Sequence, residues 1–185
     1  YMEKVLQGQG DTHFDFLALS AAETDADTRN GLLTSFDRLL KKYPKNGQLI
    51  FGKALLLQQN GDAQGALKLL EDNPANDGDV TPILLRARLL QGMDRGKEAL
   101  PILEKSIRQY PDDKRLRLTY ARMLVEQNRM DDAKVEFSSL VQQFPDDDEL
   151  RYSLALVCLE AKAWDEAVGY LEDLIARGSH VDSAH

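Results

Sequence analysis

Apolar residues recur along this chain at three- and four-residue spacing, in short segments that polar residues separate. This spacing places the apolar side chains on one face of a helix and so predicts a series of amphipathic helices. The clearest segments cover residues 48–59, 83–90, 116–124 and 150–158. Each is followed by a polar break and then by a second apolar segment, which indicates pairs of helices joined by short turns.

The breaks carry residues that end one helix and begin the next. Gly61 and Gly92 suit helix C-termini, and Asp62 and Asp94 are predicted to be the N-caps of the helices that follow. The second helices of the pairs are expected to end near Leu70, Tyr110, Phe144 and Arg177. The acidic residues after Pro111 favour the positively polarised start of the next helix.

One period runs through these pairs. Alanines of the second helices recur at a nearly constant interval: Ala66, Ala99, Ala133 and Ala167. Alanines of the first helices lie twelve residues earlier in each pair: Ala54, Ala87, Ala121 and Ala155. Pro111 and Pro145 are separated by the same interval as Ala99 and Ala133, and proline cannot continue a helix. The period predicts stacked helical hairpins, in which small residues allow close contact and stacking buries the apolar faces.

The length and composition of this repeat resemble those of the tetratricopeptide repeat (TPR), a helix–turn–helix of about 34 residues. Small residues stand at positions 8 and 20 of the repeat, and proline stands at position 32. The best copy covers residues 114–147, and the next copy contains Trp164 where the family usually has Tyr. The family's aromatic residue at position 4 is replaced by Ile50, Ile83, Arg117 and Arg151. The resemblance implies an all-α fold, a right-handed superhelical solenoid of helix hairpins with about five repeats.

The period divides residues 1–185 into a single array. The four clear repeats are residues 47–79, 80–113, 114–147 and 148–181. A degenerate repeat is expected at residues 13–46, where Leu32, Phe36 and Pro44 keep the register. Residues 1–12 are predicted to be the tail of a preceding helix and residues 182–185 the start of a next one, so the chain is expected to be a piece of a longer array.

Composition narrows the classes of function. The apolar fraction of 43% is enough for a buried core, and the net charge of −8 disfavours nucleic acid and anionic membranes as partners. Cys158 is the single cysteine and falls at a core position, whereas His13, His180 and His185 are scattered. Neither a metal-ligand spacing nor a glycine-rich phosphate loop is present. We therefore expect no enzyme activity, no metal and no cofactor.

In the tetratricopeptide family, positions 2, 5, 6, 9, 12 and 13 of the first helices line a concave groove. The resemblance therefore implies an apolar groove with arginines at its centre. The residues expected to bind a partner are Phe51, Leu55, Leu84, Arg88, Arg115, Leu118, Arg122, Tyr152 and Leu156. Two alternatives stay open: the leucines pack between neighbouring first helices, and Arg88 or Arg122 pairs with acids such as Glu126. Chaperone-binding members use a Lys and Asn pair that is missing here, so heat-shock-protein tails are not expected.

The expected function is that of a protein–protein interaction scaffold or adaptor. The alternatives are a docking arm of a larger enzyme or assembly complex, and a structural spacer. Segments 53–62, 123–133 and 163–175 are similar to bacterial outer-membrane lipoproteins of the LbcA type. That resemblance implies a periplasmic adaptor of a carboxyl-terminal processing protease, lipid-anchored through a segment missing here; a cytoplasmic scaffold is the alternative. Apolar faces at the cut ends of the array predict weak self-association.

Overall fold

The computed structural model of the protein describes residues 26–74 and 79–182. In this part of the chain all regular structure is helical, which confirms the predicted all-α fold. The helices are α1 (Ala26–Lys42), α2 (Gly47–Gln59), α3 (Ala63–Asp72), α4 (Thr81–Gly92), α5 (Gly96–Gln109), α6 (Lys114–Glu126), α7 (Met130–Gln143), α8 (Asp148–Glu160) and α9 (Trp164–Asp182).

Several predictions concern residues outside the described ranges. These are the helical tail at residues 1–12, the first part of the degenerate repeat at residues 13–25, and residues 183–185. Within the described ranges, α9 continues to Asp182, although the pattern predicted that its helix ends near Arg177. Asp182 is the last described residue of α9, and the rest of the predicted next helix lies outside the described ranges.

The chain divides into two compact units, of which the N-terminal unit ends at Asp94 and the C-terminal unit begins at Arg95. In the N-terminal unit α1 packs on α2, α2 on α3, and α3 on α4, while α2 also contacts α4. Phe36, Leu49 and Leu56 form the centre of the core where α1 meets α2. In the C-terminal unit each of the helices α5 to α8 packs on the one that follows it.

The alanines of both series are fully buried. Ala54, Ala87, Ala121 and Ala155 of the first helices have no exposed surface, and the same holds for Ala66, Ala99, Ala133 and Ala167 of the second helices. A small side chain at these points lets two helix backbones approach, so the periodic alanines mark the contacts that build each repeat. The predicted role of both series as close-contact positions is consistent with this burial.

The residue three positions after each first-helix alanine is predicted from the sequence to fill the space between neighbouring helices: Leu57, Leu90, Leu124 and Cys158. Leu90, Leu124 and Cys158 are buried as expected, whereas Leu57, at the equivalent position of α2, is only half-buried. The residue directly before this position in each first helix was not predicted to be buried. It is nevertheless buried in all four repeats: Leu56, Leu89, Met123 and Val157.

The turns inside the hairpins share one left-handed residue. Its φ is +83° at Gly61, +59° at Asp94, +58° at Asn128 and +60° at Lys162. A left-handed residue after a helix lets the following amide reach back to a free carbonyl, as the amide of Arg129 does to Leu124. Gly61 therefore has the predicted C-terminal role, and the prediction that Asp94 is an N-cap is wrong.

Capping aspartates begin several helices. Asp62 accepts a hydrogen bond from the amide of Gly65, which confirms its predicted role as the N-cap of α3. Asp113 and Asp147, which follow Pro111 and Pro145, cap α6 and α8 in the same way. The proline ends one repeat, and the aspartate two residues later satisfies the free amides of the next first helix.

Candidate functional site

The C-terminal unit presents side chains of α6 and α8, the two first helices that pack on α7. We call Leu118, Arg122, Tyr152 and Leu156 the C-terminal first-helix face. Leu118 and Arg122 are four residues apart on α6, and Tyr152 and Leu156 occupy the equivalent positions of the next repeat, on α8. Tyr152 is 52% exposed and Leu156 43% exposed, which leaves much apolar surface open to solvent.

Arg122 is the exposed cation of this face. It makes no hydrogen bond or ion pair with any residue in the described part of the chain, so pairing with Glu126 is not observed. Its guanidinium can therefore bind an incoming carboxylate without first losing a partner within the described residues.

Arg115, the other predicted cation of α6, forms an ion pair at the N-terminus of its own helix. Its Nη2 atom lies 2.9 Å from Oδ2 of Asp113, the N-cap of α6. The hydrogen bond from Arg115 holds the pKa of Asp113 below its usual value. Arg115 therefore contributes to the cap of α6 as well as to the local positive charge.

The N-terminal unit carries the other predicted residues on α2 and α4. We call Phe51, Leu55, Leu84 and Arg88 the N-terminal first-helix face. The three apolar side chains are half-buried, and α2, which carries Phe51 and Leu55, contacts α4, which carries Leu84. Arg88 is exposed and makes no ion pair within the described residues. Leu85 and Gly52, the position 6 residues, are buried and do not line a surface.

Arg117 and Arg151, which stand where the family usually has an aromatic residue, have a structural role. Arg151 is 5% exposed and donates to the carbonyl of Pro145 over 2.7 Å. Arg117 donates in the same way to the carbonyl of Pro111 over 3.1 Å. Each arginine follows its proline by six residues, which is the sequence signal that identifies the contact. Both side chains therefore stabilise the turn that precedes the first helix of a repeat, and they are not available to a partner.

The described residues contain few features of a metal site, a membrane-spanning helix or a reactive cysteine. They contain no cluster of His, Cys, Asp or Glu side chains arranged to hold a metal ion. Within the same ranges no helix is long and apolar enough to cross a membrane. Cys158 is buried, and burial raises the pKa of its thiol, which keeps the sulfur protonated and weakly nucleophilic.

Comparisons with known proteins agree with the repeat geometry. Tetratricopeptide repeat profiles match residues 90–147 and residues 136–181. The TPR repeat-containing protein PA4667 of Pseudomonas aeruginosa is 74% identical over 121 residues, which are 65% of this chain and 20% of that protein. The chain thus spans about a fifth of the length of this relative.

Solved structures of the same architecture are similar to the chain at low sequence identity. MamA has a TM-score of 0.70 and 14% identity, over 84% of this chain and 91% of its own. YrrB, described as a TPR protein with an unusual peptide-binding site, has a TM-score of 0.65 and 16% identity, over 90% and 86% of the two chains. A tetratricopeptide repeat protein of Parabacteroides merdae has a TM-score of 0.61 and 18% identity, over 92% and 68%. From the periodic hairpins, the buried alanines and these matches, we conclude that residues 90–181 of the chain are tetratricopeptide repeats.

Proposed function

We propose that the chain is a protein–protein interaction scaffold that holds a segment of a partner protein on the C-terminal first-helix face. Proteins of the tetratricopeptide family typically bind other proteins or peptides and are typically not enzymes. The observation that carries the proposal is the exposure of Tyr152 and Leu156 at the repeat positions that Leu118 and Arg122 hold on α6, together with the charge of Arg122, which has no partner in the described residues.

The chemistry of this face suggests the kind of segment that it holds. Exposed Tyr and Leu side chains stabilise a complex when an apolar side chain covers them, and Tyr and Arg are enriched among the residues that dominate binding energy. Arg122 selects for a carboxylate beside those apolar groups, since a guanidinium binds a carboxylate through two hydrogen bonds. The occupant is therefore a peptide segment with apolar residues next to Asp, Glu or a free C-terminus.

The N-terminal first-helix face supports a weaker contact by itself. Its apolar members Phe51, Leu55 and Leu84 are already half-buried, so a partner gains less by covering them. Arg88 repeats the free positive charge that Arg122 supplies in the other unit. YrrB, whose fold is similar, is described as having a peptide-binding site, which supports peptide binding as the mode of action.

A capture experiment with matched variants tests this function. The bait is the chain immobilised in a bacterial envelope lysate, and the test variant combines Tyr152→Ser, Leu156→Ser and Arg122→Glu. The control variant is Val135→Ser, which removes an apolar residue of still greater exposure on the second helix α7. We expect the native chain and the control to retain the same partner and the test variant to lose it. Equal retention by all three, with helicity unchanged, rejects this face as the binding site.

We further propose that the partner is a periplasmic carboxyl-terminal processing protease or one of its substrates, recruited at the outer membrane. This finer proposal is supported by the resemblance of segments 53–62, 123–133 and 163–175 to adaptor lipoproteins. The test is binding of the chain to a purified protease of that class, followed by its cleavage of a substrate with and without the chain. Unchanged cleavage and undetectable binding contradict the adaptor role. Fractionation of cells that express the longer protein locates it in the envelope or in the cytosol.

A further inference from the structure

The end of α1 and the turn that leads into α2 carry a cluster of positive charge in an otherwise acidic protein. Between Asp37 and Asp62 the sequence contains five Lys and Arg residues and no Asp or Glu. Lys53 lies 2.6 Å from Asp37, so its charge is balanced. The other four cations and the tyrosine among them form what we call the α1 basic patch: Arg38, Lys41, Lys42, Tyr43 and Lys45. All five side chains are exposed.

Most of the charges in this patch have no partner. Arg38, Lys41 and Lys45 make no hydrogen bond or ion pair within the described part of the chain. Arg38 lies three residues before Lys41 and four before Lys42, so these side chains are neighbours on the surface of α1. The Nζ atom of Lys42 lies 5.2 Å from the centre of the Tyr43 ring. The patch therefore presents several cations beside an exposed aromatic ring.

The equivalent turns before α6 and α8 have the opposite charge. In all three turns an aromatic residue and a proline come first, and the next residue is Lys45 before α2 but aspartate before α6 and α8. The N-cap of α2 is the neutral Asn46, whereas α6 and α8 have aspartate caps. The dipole of α1 favours Lys41 and Lys42 in its last turn, but Lys45 lies beyond the helix. The repeat forms equally well with acids at this turn, so folding does not require the positive charge there.

The small size of the patch favours one form of negatively charged partner. The chain as a whole has a net charge of −8, so acidic side chains surround the four cations. Exposed charges act over about 10 Å at 0.1 M ionic strength. A nucleic acid duplex or an anionic bilayer extends well beyond that distance and is repelled by the acidic surroundings. A single polypeptide segment is narrow enough to contact the patch alone, and proteins of the tetratricopeptide family typically bind other proteins or peptides.

We propose that the α1 basic patch is a docking site for a carboxylate-rich segment of a partner polypeptide. Arg38 binds one carboxylate through two hydrogen bonds, and Lys41 and Lys45 attract neighbouring carboxylates as point charges. Tyr43 packs against an apolar side chain of the same segment. The site lies on α1 and the turn after it, outside both first-helix faces. Its charge speeds the approach of acidic partners and disfavours basic ones.

Fluorescence anisotropy of a labelled peptide tests the site. The probe is an end-capped peptide of six glutamates and one leucine with an uncharged fluorophore, and its counterpart has glutamine in place of glutamate. We expect saturable binding of the glutamate peptide that weakens as salt is added, and no binding of the glutamine peptide. Arg38→Glu combined with Lys41→Glu weakens binding about tenfold. Lys45→Asp, which gives this turn the residue of the later repeats, weakens it to a smaller extent.

The chain itself supplies a control with the same change in net charge. Lys105 and Arg108 on α5 hold the repeat positions of Arg38 and Lys41, and they are exposed, but an acidic turn that begins at Asp112 follows them. Lys105→Glu combined with Arg108→Glu is expected to keep the affinity within about twofold of that of the native chain. Equal losses for the two double variants overturn the proposal, because binding then follows net charge alone. A glutamate peptide that does not bind the native chain also overturns it.

Other occupants of the patch give distinct results. A single-stranded thymidine oligonucleotide or phosphatidylglycerol vesicles that bind more tightly than the peptide, and that lose affinity with Arg38→Glu and Lys41→Glu, overturn a polypeptide partner. Sedimentation velocity tests a second copy of the chain, whose acidic turns also complement the patch. Self-association that the same double variant removes assigns the patch to that second copy and overturns the proposal. Circular dichroism confirms that each variant keeps its helicity.

Discussion

Nε of Arg151 lies 2.8 Å from Oδ2 of Asp173, and this ion pair joins the two helices of one hairpin, α8 and α9. The same guanidinium donates to the carbonyl of Pro145 and pairs with Asp148, also over 2.8 Å. Arg151 stands where the family usually has an aromatic residue. A buried cation with three partners here connects the end of one repeat to both helices of the next.

We predict that Arg151→Ala lowers the free energy of unfolding by ~2 kcal/mol, measured by urea denaturation. The change removes three interactions and the packing of the arginine stem. The loss stays below that of a fully buried pair, because Asp148 and Asp173 are half exposed and regain water.

Arg177→Ala is the matched control for this substitution. Arg177 pairs with the same two carboxylates over 3.2 and 3.7 Å, but its side chain is 37% exposed. We expect a loss of less than ~0.5 kcal/mol, as for other surface ion pairs. Equal losses for the two variants contradict the structural role of Arg151.

The buried alanines lead to a second prediction. Ala121→Leu inserts three carbon atoms where Ala121 has no exposed surface, and we expect it to lower the free energy of unfolding by ~1–3 kcal/mol. Val135→Leu on the exposed surface of α7 is expected to change it by less than ~0.5 kcal/mol. Thermal unfolding followed by circular dichroism compares the two. A neutral Ala121→Leu variant shows that the helices are not in close contact there.

Much of the fold could be predicted from the sequence, because stacking imposes the same contact on every repeat. The alanine series marks that contact and therefore appears as a period of residues. The prediction that Asp94 is an N-cap was wrong because Gly92 was interpreted as the counterpart of Gly61 in the turn. In the repeat register Asp94 aligns with Gly61 and not with the N-cap Asp62, and the backbone follows the register.

The side-chain contacts across helices could not be predicted in the same way. The pair of Arg86 with Glu71 depends on which residues of two helices face each other, and amphipathic spacing alone does not specify that. The exposure of the predicted site residues also varies at one repeat position. Tyr152 is largely exposed, whereas Phe51 is half-buried.

The left-handed turn residues give a third prediction. Lys162 has a φ of +60°, a conformation in which a side chain with a Cβ is disfavoured. We expect Lys162→Gly to raise the free energy of unfolding by ~0.5–1 kcal/mol, in urea denaturation. Asn128→Gly, at the equivalent turn, is expected to gain less, because Asn tolerates this conformation better than Lys. A destabilised Lys162→Gly variant means that the lysine side chain makes a compensating contact.

The fourth prediction concerns the hydrogen bond from Tyr120 to Glu104 at high pH. Burial, followed by this hydrogen bond, raises the pKa of Tyr120 from 10.0 to about 12. A pKa that is higher in the folded state stabilises the fold fully below pH 10, and this contribution is lost as the pH rises from 10 to about 12.

At pH 7 we expect Tyr120→Phe to lower the free energy of unfolding by ~1 kcal/mol. The difference between the two proteins is expected to shrink across that alkaline window, because only the native chain carries the titrating phenol at this contact. Urea denaturation of both proteins at pH 7, 9, 10, 11 and 12 measures the difference, and all other titrating groups cancel in the comparison. A difference that stays constant to pH 12 means that the phenol of Tyr120 ionises alike in the folded and unfolded chains and that the contact with Glu104 does not hold its proton.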